Sequence, residues 1–247
     1  MDFNRVINDL DAFMARDPAA RSRWEVAILY QGFHAVVFYR VSHALWIRDW
    51  RFLGRLISQI GRFLTGIEIH PGATIGAGFV IDHGAGVVVG ETAVIGDDVT
   101  LYHDVTLGGV APSIDSTEQI GVKRHPTLEN DVIVGCGASI LGDITVGEGA
   151  RVGANAVVAK DIPPGVTAVG NPANVVMPKD KTKQRQFQQY GTTVEGIPDP
   201  ILQTIEGLRT QIVQLKDRVG DLEDELHQAN QVTDEDGAND RDAGSAA

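Results

Sequence analysis

Two histidines carry the chemistry open to this chain. His83 stands in Ile81-Asp82-His83-Gly84 and His125 in Arg124-His125-Pro126, with Glu68, Asp82, Glu91 and Arg124 nearby in sequence. Imidazole takes and returns a proton near neutral pH, and a carboxylate on its second nitrogen fixes its tautomer and raises its basicity. A positioned imidazole acting as general acid or base contributes about 10²–10⁴-fold. A lone histidine on a protein face is more often a surface or packing residue; the charged company distinguishes these two. His103 opens a second reading, a three-histidine zinc site of His83, His103 and His125, because catalytic zinc commonly takes three protein ligands and a water. No supporting motif surrounds His103. Cys136 is the single cysteine, so the chain has no internal disulfide, in agreement with a reducing compartment.

The elements that must position these residues follow from a period of six. Branched aliphatics recur at Ile69, Ile75 and Ile81, and after a two-residue slip at Val89, Ile95, Leu101 and Leu107. After a long interruption they return at Leu128, Val134, Ile140, Val146, Val152 and Val158. This period is neither helical nor simple strand alternation. It predicts short flat strands joined by tight corners, three hexapeptides to a triangular coil, with residues 18 apart stacked at roughly the inter-strand spacing of ~4.8 Å. About five such coils fit between Ile67 and Pro172, by the length of the repeat region. Glycine directly follows many of the aliphatics, as at Gly76, Gly90 and Gly96, where a Cβ would crowd the corner. The stretch from Gly109 to Lys123 is an inserted loop, and loops leaving a repeat scaffold often carry sites.

Residues 1–65 read as a helical region. Val6, Leu10, Phe13 and Met14 have helical spacing, Asp17-Pro18 marks a break with Asp17 as N-cap, and Trp24 to Trp46 reads as one long apolar helix. Phe52 to Leu64 is another. Residues 66–176 form the repeat domain and 177–200 a polar linker. Ile201, Leu208, Leu215 and Leu222, interleaved with Ile205, Ile212, Val219 and Leu226, give four heptads of a coiled-coil helix over 201–228. The acidic end, 229–247, is expected to stay solvated and disordered. A net charge of −12 argues against nucleic acid as a partner. The apolar run from Val26 to Trp46 is interrupted by His34, Arg40 and His43, and Met1 to Leu10 does not read as a signal peptide, so no membrane association and a cytoplasmic location are expected.

The ordered blocks Glu68-Ile-His-Pro-Gly, Ile81-Asp-His-Gly-Ala-Gly, Val89-Gly-Glu-Thr-Ala, Thr106-Leu-Gly-Gly and Arg124-His-Pro-Thr resemble the serine acetyltransferase signature. Gly32-Phe-His-Ala and Gly170-Asn-Pro-Ala extend the resemblance over about residues 10–177. It implies an α+β repeat protein: an N-terminal helical region, a left-handed parallel β-helix of hexapeptide repeats, and here an added C-terminal heptad helix. It implies a homotrimer, alone or as a dimer of trimers, with L-serine and acetyl-CoA as substrates and no metal. His83 would be the general base, Glu68 its acidic partner, and His125, from the neighbouring chain, a second catalytic histidine. Asp17, Pro18 and Asp82 would bind the serine ammonium, and Arg124 and His125 its carboxylate. Gly109, Cys136, Ala154 and Lys160 would contact acetyl-CoA between two prisms. Direct transfer needs no enzyme nucleophile, so Cys136 need not react.

The resemblance also implies feedback inhibition by cysteine. A sulfhydrylase partner, which relatives hold through a C-terminal Ile, is not supported by an end reading Gly-Ser-Ala-Ala. The loop between Gly109 and Arg124 is longer, and the helical region shorter, than in typical relatives. Hexapeptides alone would equally suit an acetyltransferase acting on a sugar or xenobiotic hydroxyl, and the heptads a non-enzymatic scaffold.

Overall fold

The computed structural model describes residues 3–110 and 119–176, with scattered helical positions between 209 and 219. The linker at 177–200, the acidic tail at 229–247 and most of the heptads lie outside the described residues. The positions between 209 and 219 belong to a separate unit; they are helical, and Ile212, Leu215 and Val219 are exposed.

Four helices open the chain: α1 (Phe3–Arg16), α2 (Arg23–Leu29), α3 (Gln31–Trp46) and α4 (Arg51–Thr65). Two expectations are corrected here. Asp17 is not an N-cap: its amide bonds Phe13 O as α1 ends, and its Oδ1 accepts the Ala19 amide at 2.8 Å, closing an exit turn. The cap of α2 is Ser22, whose hydroxyl accepts the Glu25 amide. The long apolar helix is also split, because Tyr30 adopts extended backbone (φ −87°, ψ 105°) between α2 and α3. The break lets α3 begin at a point of close approach to the repeat domain: a Cβ on Gly32 would lie 2.0 Å from the Ile81 carbonyl oxygen. Sequence periodicity continued across Tyr30, so it gave no sign of this tertiary demand.

The repeat domain is a three-sided stack. Sheet 1 has the order β1 (Glu68–Ile69), β4 (Val88–Val89), β7 (Thr106–Gly108), β10 (Ser139–Leu141) and β13 (Val157–Val158). Sheet 2 holds β2 (Thr74–Ile75), β5 (Val94–Ile95), β8 (Thr127–Leu128) and β11 (Thr145–Val146). Sheet 3 holds β3 (Val80–Ile81), β6 (Thr100–Leu101), β9 (Ile133–Val134), β12 (Arg151–Val152) and β14 (Thr167–Val169), finished by the antiparallel β15 (Asn174–Val176). Up to β13 each strand pairs in parallel with the strand three further on, the pattern of a triangular β-helix. The in-phase aliphatics, from Ile69 to Val158, fill its interior and are essentially inaccessible.

The glycines after those aliphatics serve close stacking rather than turning. A Cβ on Gly76 would meet the Gly96 carbonyl carbon at 2.6 Å, and one on Gly135 the Ala154 amide nitrogen at 2.7 Å. Left-handed backbone falls elsewhere in the corners, on Asp98, Asp104, Asp131 and Asn155 and on other glycines such as Gly78 and Gly137.

A buried ion pair locks the helices onto the stack. Arg40 donates Nε and Nη2 to the two oxygens of Asp9, each at 3.0 Å, and Nη1 to the Ile75 carbonyl at 2.7 Å; Asp9 Oδ1 also accepts the Phe79 amide. Asp9 is 0% exposed and Arg40 7%. Tyr39 adds a hydroxyl bond to the Ala73 carbonyl at 2.7 Å.

Candidate active site

Both histidines sit where the six-residue rhythm breaks. Most corners between sheets 3 and 1 contain four residues, as between Leu101 and Thr106, but six separate Ile81 from Val88. The two extra residues accommodate the slip seen in sequence, and His83 within them adopts a left-handed backbone, φ 53°. Its ring is 66% exposed, with Nε2 3.7 Å from Asp82 Oδ1, while Asp82 is 15% exposed. Burial raises the Asp82 pKa above the usual carboxylate range and Asp17 raises it further, against the opposing pull of His83. Tyr30, unremarked in the sequence, faces the same carboxylates: burial and Asp17 push its hydroxyl up to about 12. Asp17, Asp82, Tyr30 and His83 are therefore brought together in one chain, with Pro18 in the exposed exit turn beside Asp17. Two carboxylates that repel each other here favour a cationic ligand.

Glu68, expected beside His83, is ion-paired instead with Arg62 of α4 at 3.2 Å. Among the described residues no hydrogen bond joins Glu68 to His83.

The second cluster forms where the inserted loop rejoins the stack. Arg124 donates Nη2 to Glu91 Oε2 at 2.6 Å and Nη1 to the Gln119 carbonyl at 3.2 Å. The guanidinium holds the Glu91 carboxyl below its ordinary range. His125 is 9% exposed, its ring packed so close to Gly90 that a Cβ there would lie 2.0 Å from Cδ2. Thr92 Oγ1 accepts the amides of Arg124 and His125 at 3.0 and 3.1 Å, and Thr92 also bonds His125 Nδ1. Burial, then Arg124 and Lys123, lower the His125 pKa. His70 joins this cluster electrostatically. Its Nδ1 accepts the Gly72 amide, and burial, followed by Arg55, lowers its pKa to about 4. Lys123 donates Nζ to the His125 carbonyl.

The residues expected to meet acetyl-CoA divide between the same two vertices of the prism. Cys136 and Ala154 occupy stacked corners from sheet 3 to sheet 1, the vertex that carries Asp82 and His83 two and three coils away. Gly109 and Lys160 follow β7 and β13 where sheet 1 gives way to sheet 2, the vertex that carries Arg124 and His125. Cys136 and Ala154 are half-buried, Gly109 and Lys160 exposed. Residues 111–118 of the inserted loop lie outside the described residues. At its root a Cβ on Gly142 would lie 2.6 Å from Val110 Cγ2, so the loop departs against the next coil. The described residues contain no group of three His, Cys, Asp or Glu side chains arranged as metal ligands.

Sequence reasoning thus passed over Thr92, Tyr30 and Arg62. Thr92 lay inside the Val89-Gly-Glu-Thr-Ala block, so a signal was present; Tyr30 and Arg62 sat in helical segments and carried none.

Residues 125–160 match the family described as bacterial transferase hexapeptide (six repeats). The chain is 46% identical over 231 residues to the serine acetyltransferase of Bacillus subtilis, covering 94% of this chain and 100% of that one. It is 56% identical over 167 residues to that of Helicobacter pylori, covering 68% and 94%. The crystal structure of the Neisseria gonorrhoeae serine acetyltransferase in complex with serine superposes with a TM-score of 0.66 at 37% identity, covering 71% of this chain and 69% of that one. A relative aligned from end to end at this identity, on the fold that the six-residue period dictates, makes this chain a member of the serine acetyltransferase family.

Proposed function

We propose that the protein transfers the acetyl group of acetyl-CoA to the hydroxyl of L-serine, giving O-acetyl-L-serine and CoA, a step toward cysteine. The observation that carries this reading is the division of the site over two vertices. One vertex has carboxylates and a base, Asp17, Asp82 and His83; the other has cationic and donor groups, Arg124 and His125. An amino acid carries an ammonium and a carboxylate and so is matched by the two halves together. The halves are supplied by neighbouring chains of a left-handed prism trimer in the cytoplasm. The exposed apolar side chains Trp24, Ile28, Phe52 and Phe63 support an assembly larger than one chain.

In this site Asp17 and Asp82 bind the ammonium, and Pro18 shapes the turn that presents Asp17. Arg124 and His125 bind the carboxylate. His83 takes the proton from serine Oγ as that oxygen attacks the thioester carbonyl; Asp82, 3.7 Å from its ring, stabilises the imidazolium that forms, and Glu68 joins it only by leaving Arg62. The tetrahedral adduct collapses by breaking the C–S bond, and His83 returns the proton to the CoA sulfur. Acetyl-CoA lies between prisms along Gly109, Cys136, Ala154 and Lys160. Cysteine, which shares the ammonium and carboxylate but presents a thiol, competes for the same pocket.

The test is CoA release with L-serine against a panel of sugars and hydroxylated xenobiotics, together with solution mass. Turnover with serine by a trimer, or a dimer of trimers, is expected. Turnover with a sugar and silence with serine would overturn the reading.

A further inference from the structure

His125 is tethered by one residue from two directions. Thr92 donates its backbone amide to His125 Nδ1 at 3.2 Å, and its hydroxyl oxygen lies 2.9 Å from the same nitrogen. That oxygen also accepts two backbone amides, from Arg124 at 3.0 Å and from His125 itself at 3.1 Å. A hydroxyl has two acceptor lone pairs and one proton to give. Both lone pairs are taken by amides, so the proton points to Nδ1. The backbone N–H of Thr92 cannot accept at all. Nδ1 is thus faced only by donors, and a proton on it would confront an N–H and an O–H. In the neutral ring the proton must sit on Nε2, the nitrogen that no described residue bonds. Thr92 also fixes the ring's orientation: a flipped ring would set the Cδ2–H edge against the Thr92 amide and hydroxyl and leave both donors unmet.

We infer that Thr92 is a tautomer lock, a positioning residue that holds His125 as an Nε2–H hydrogen-bond donor and withholds it from proton abstraction. The inference rests on the proposed reaction for its meaning, and it separates the two histidines there. His83, exposed and beside a carboxylate, is the base. His125 is a fixed neutral donor aimed at an anionic oxygen of the bound ligand, the serine carboxylate. Burial, Arg124 and Lys123 act in the same sense by disfavouring the imidazolium. Arg124 and His125 are also placed together through Thr92, since one hydroxyl receives both of their amides. The corner that binds the carboxylate is therefore set by a single side chain from the preceding coil.

Two measurements on the full-length protein test this. The first is long-range proton–nitrogen correlation spectroscopy of ¹⁵N-histidine-labelled enzyme at neutral pH, with His125 assigned from the spectrum of H125Q. An unprotonated Nδ1 and a protonated Nε2 are expected in the wild type and in T92S, with mixing of the two forms in T92V. A protonated Nδ1 in the wild type, or an unchanged tautomer in T92V, overturns the lock. The second compares H125Q with H125L. The glutamine amide can replace an Nε2–H donor but cannot act as a base, so H125Q is expected to keep activity within about tenfold of wild type while H125L loses about 10² or more in kcat/KM for serine. Equal damage in both overturns the donor role. Should wild-type enzyme be inactive with serine while the spectrum shows the locked tautomer, the proposed reaction fails and the lock stands. T92S, which keeps the hydroxyl, is expected to restore the KM for serine that T92V raises, and its failure to do so counts against the lock.

Discussion

His83 presents Nε2 at 3.7 Å from Oδ1 of the residue before it, Asp82, across a corner two residues longer than its neighbours. His83 has left-handed backbone there, φ 53°. Asparagine tolerates that conformation better than most residues. H83N is therefore expected to lower kcat by about 10²–10⁴-fold while leaving the melting temperature and the KM for acetyl-CoA near wild type. Steady-state kinetics beside a thermal melt checks this, and a fall in stability matching the fall in rate would count against a purely chemical role.

Asp82 is held above the ordinary carboxylate range by burial and by Asp17. Its charged form is therefore a cost to the empty protein at neutral pH, a cost that vanishes when the carboxyl is protonated or met by an ammonium. D82N removes that charge. Without ligand it should melt at a higher temperature than wild type at pH 7, while its KM for serine rises about tenfold or more through the lost charge-assisted contact. A melt and a serine titration read the two opposing effects.

The Asp9–Arg40 pair should be costly to break from one side. D9N leaves a buried guanidinium short of its partner and is expected to destabilise the fold by about 3–5 kcal/mol, readable as a shift in the denaturant midpoint. The pair meets the stack at the corner between β2 and β3, a vertex that carries neither histidine, so folded D9N should retain kcat.

Acid should weaken the fold before it reaches most carboxylates. His70 has its pKa lowered from 6.5 to about 4, and His125 is lowered as well. Over that window the unfolded chain binds protons that the folded chain refuses, so stability is full above 6.5 and falls as the pH drops toward 4. H70Q should flatten the loss across this range in denaturation curves taken at several pH values. An unchanged slope would remove His70 as its origin.

The prism was legible because its interior is a single aliphatic position repeated at a fixed interval, and each of Ile69 to Val158 fell inside as the period requires. The breaks in that period located His83 and His125. The helical seam was less legible. Tyr30 interrupts a helix because Gly32 must meet Ile81, a contact between residues far apart in sequence, and local propensity cannot report it. Within the site, Asp17 acts on Asp82, a pairing that the family resemblance implied and the spacing of residues did not, while Glu68 turns to Arg62, whose helical setting disguised it. Thr92 acts through its hydroxyl, and a threonine within a repeat reads equally well as an ordinary strand or corner residue.

The division of one site between two chains is tested most directly by mixing inactive variants. H83N keeps His125 and H125L keeps His83, so each alone has no intact site. After co-refolding at equal amounts, each interface of a cyclic trimer has about one chance in four of pairing both wild-type histidines, and about one quarter of wild-type activity should return. Mixed trimers confirmed by mass with no recovery of serine-dependent CoA release would contradict the account.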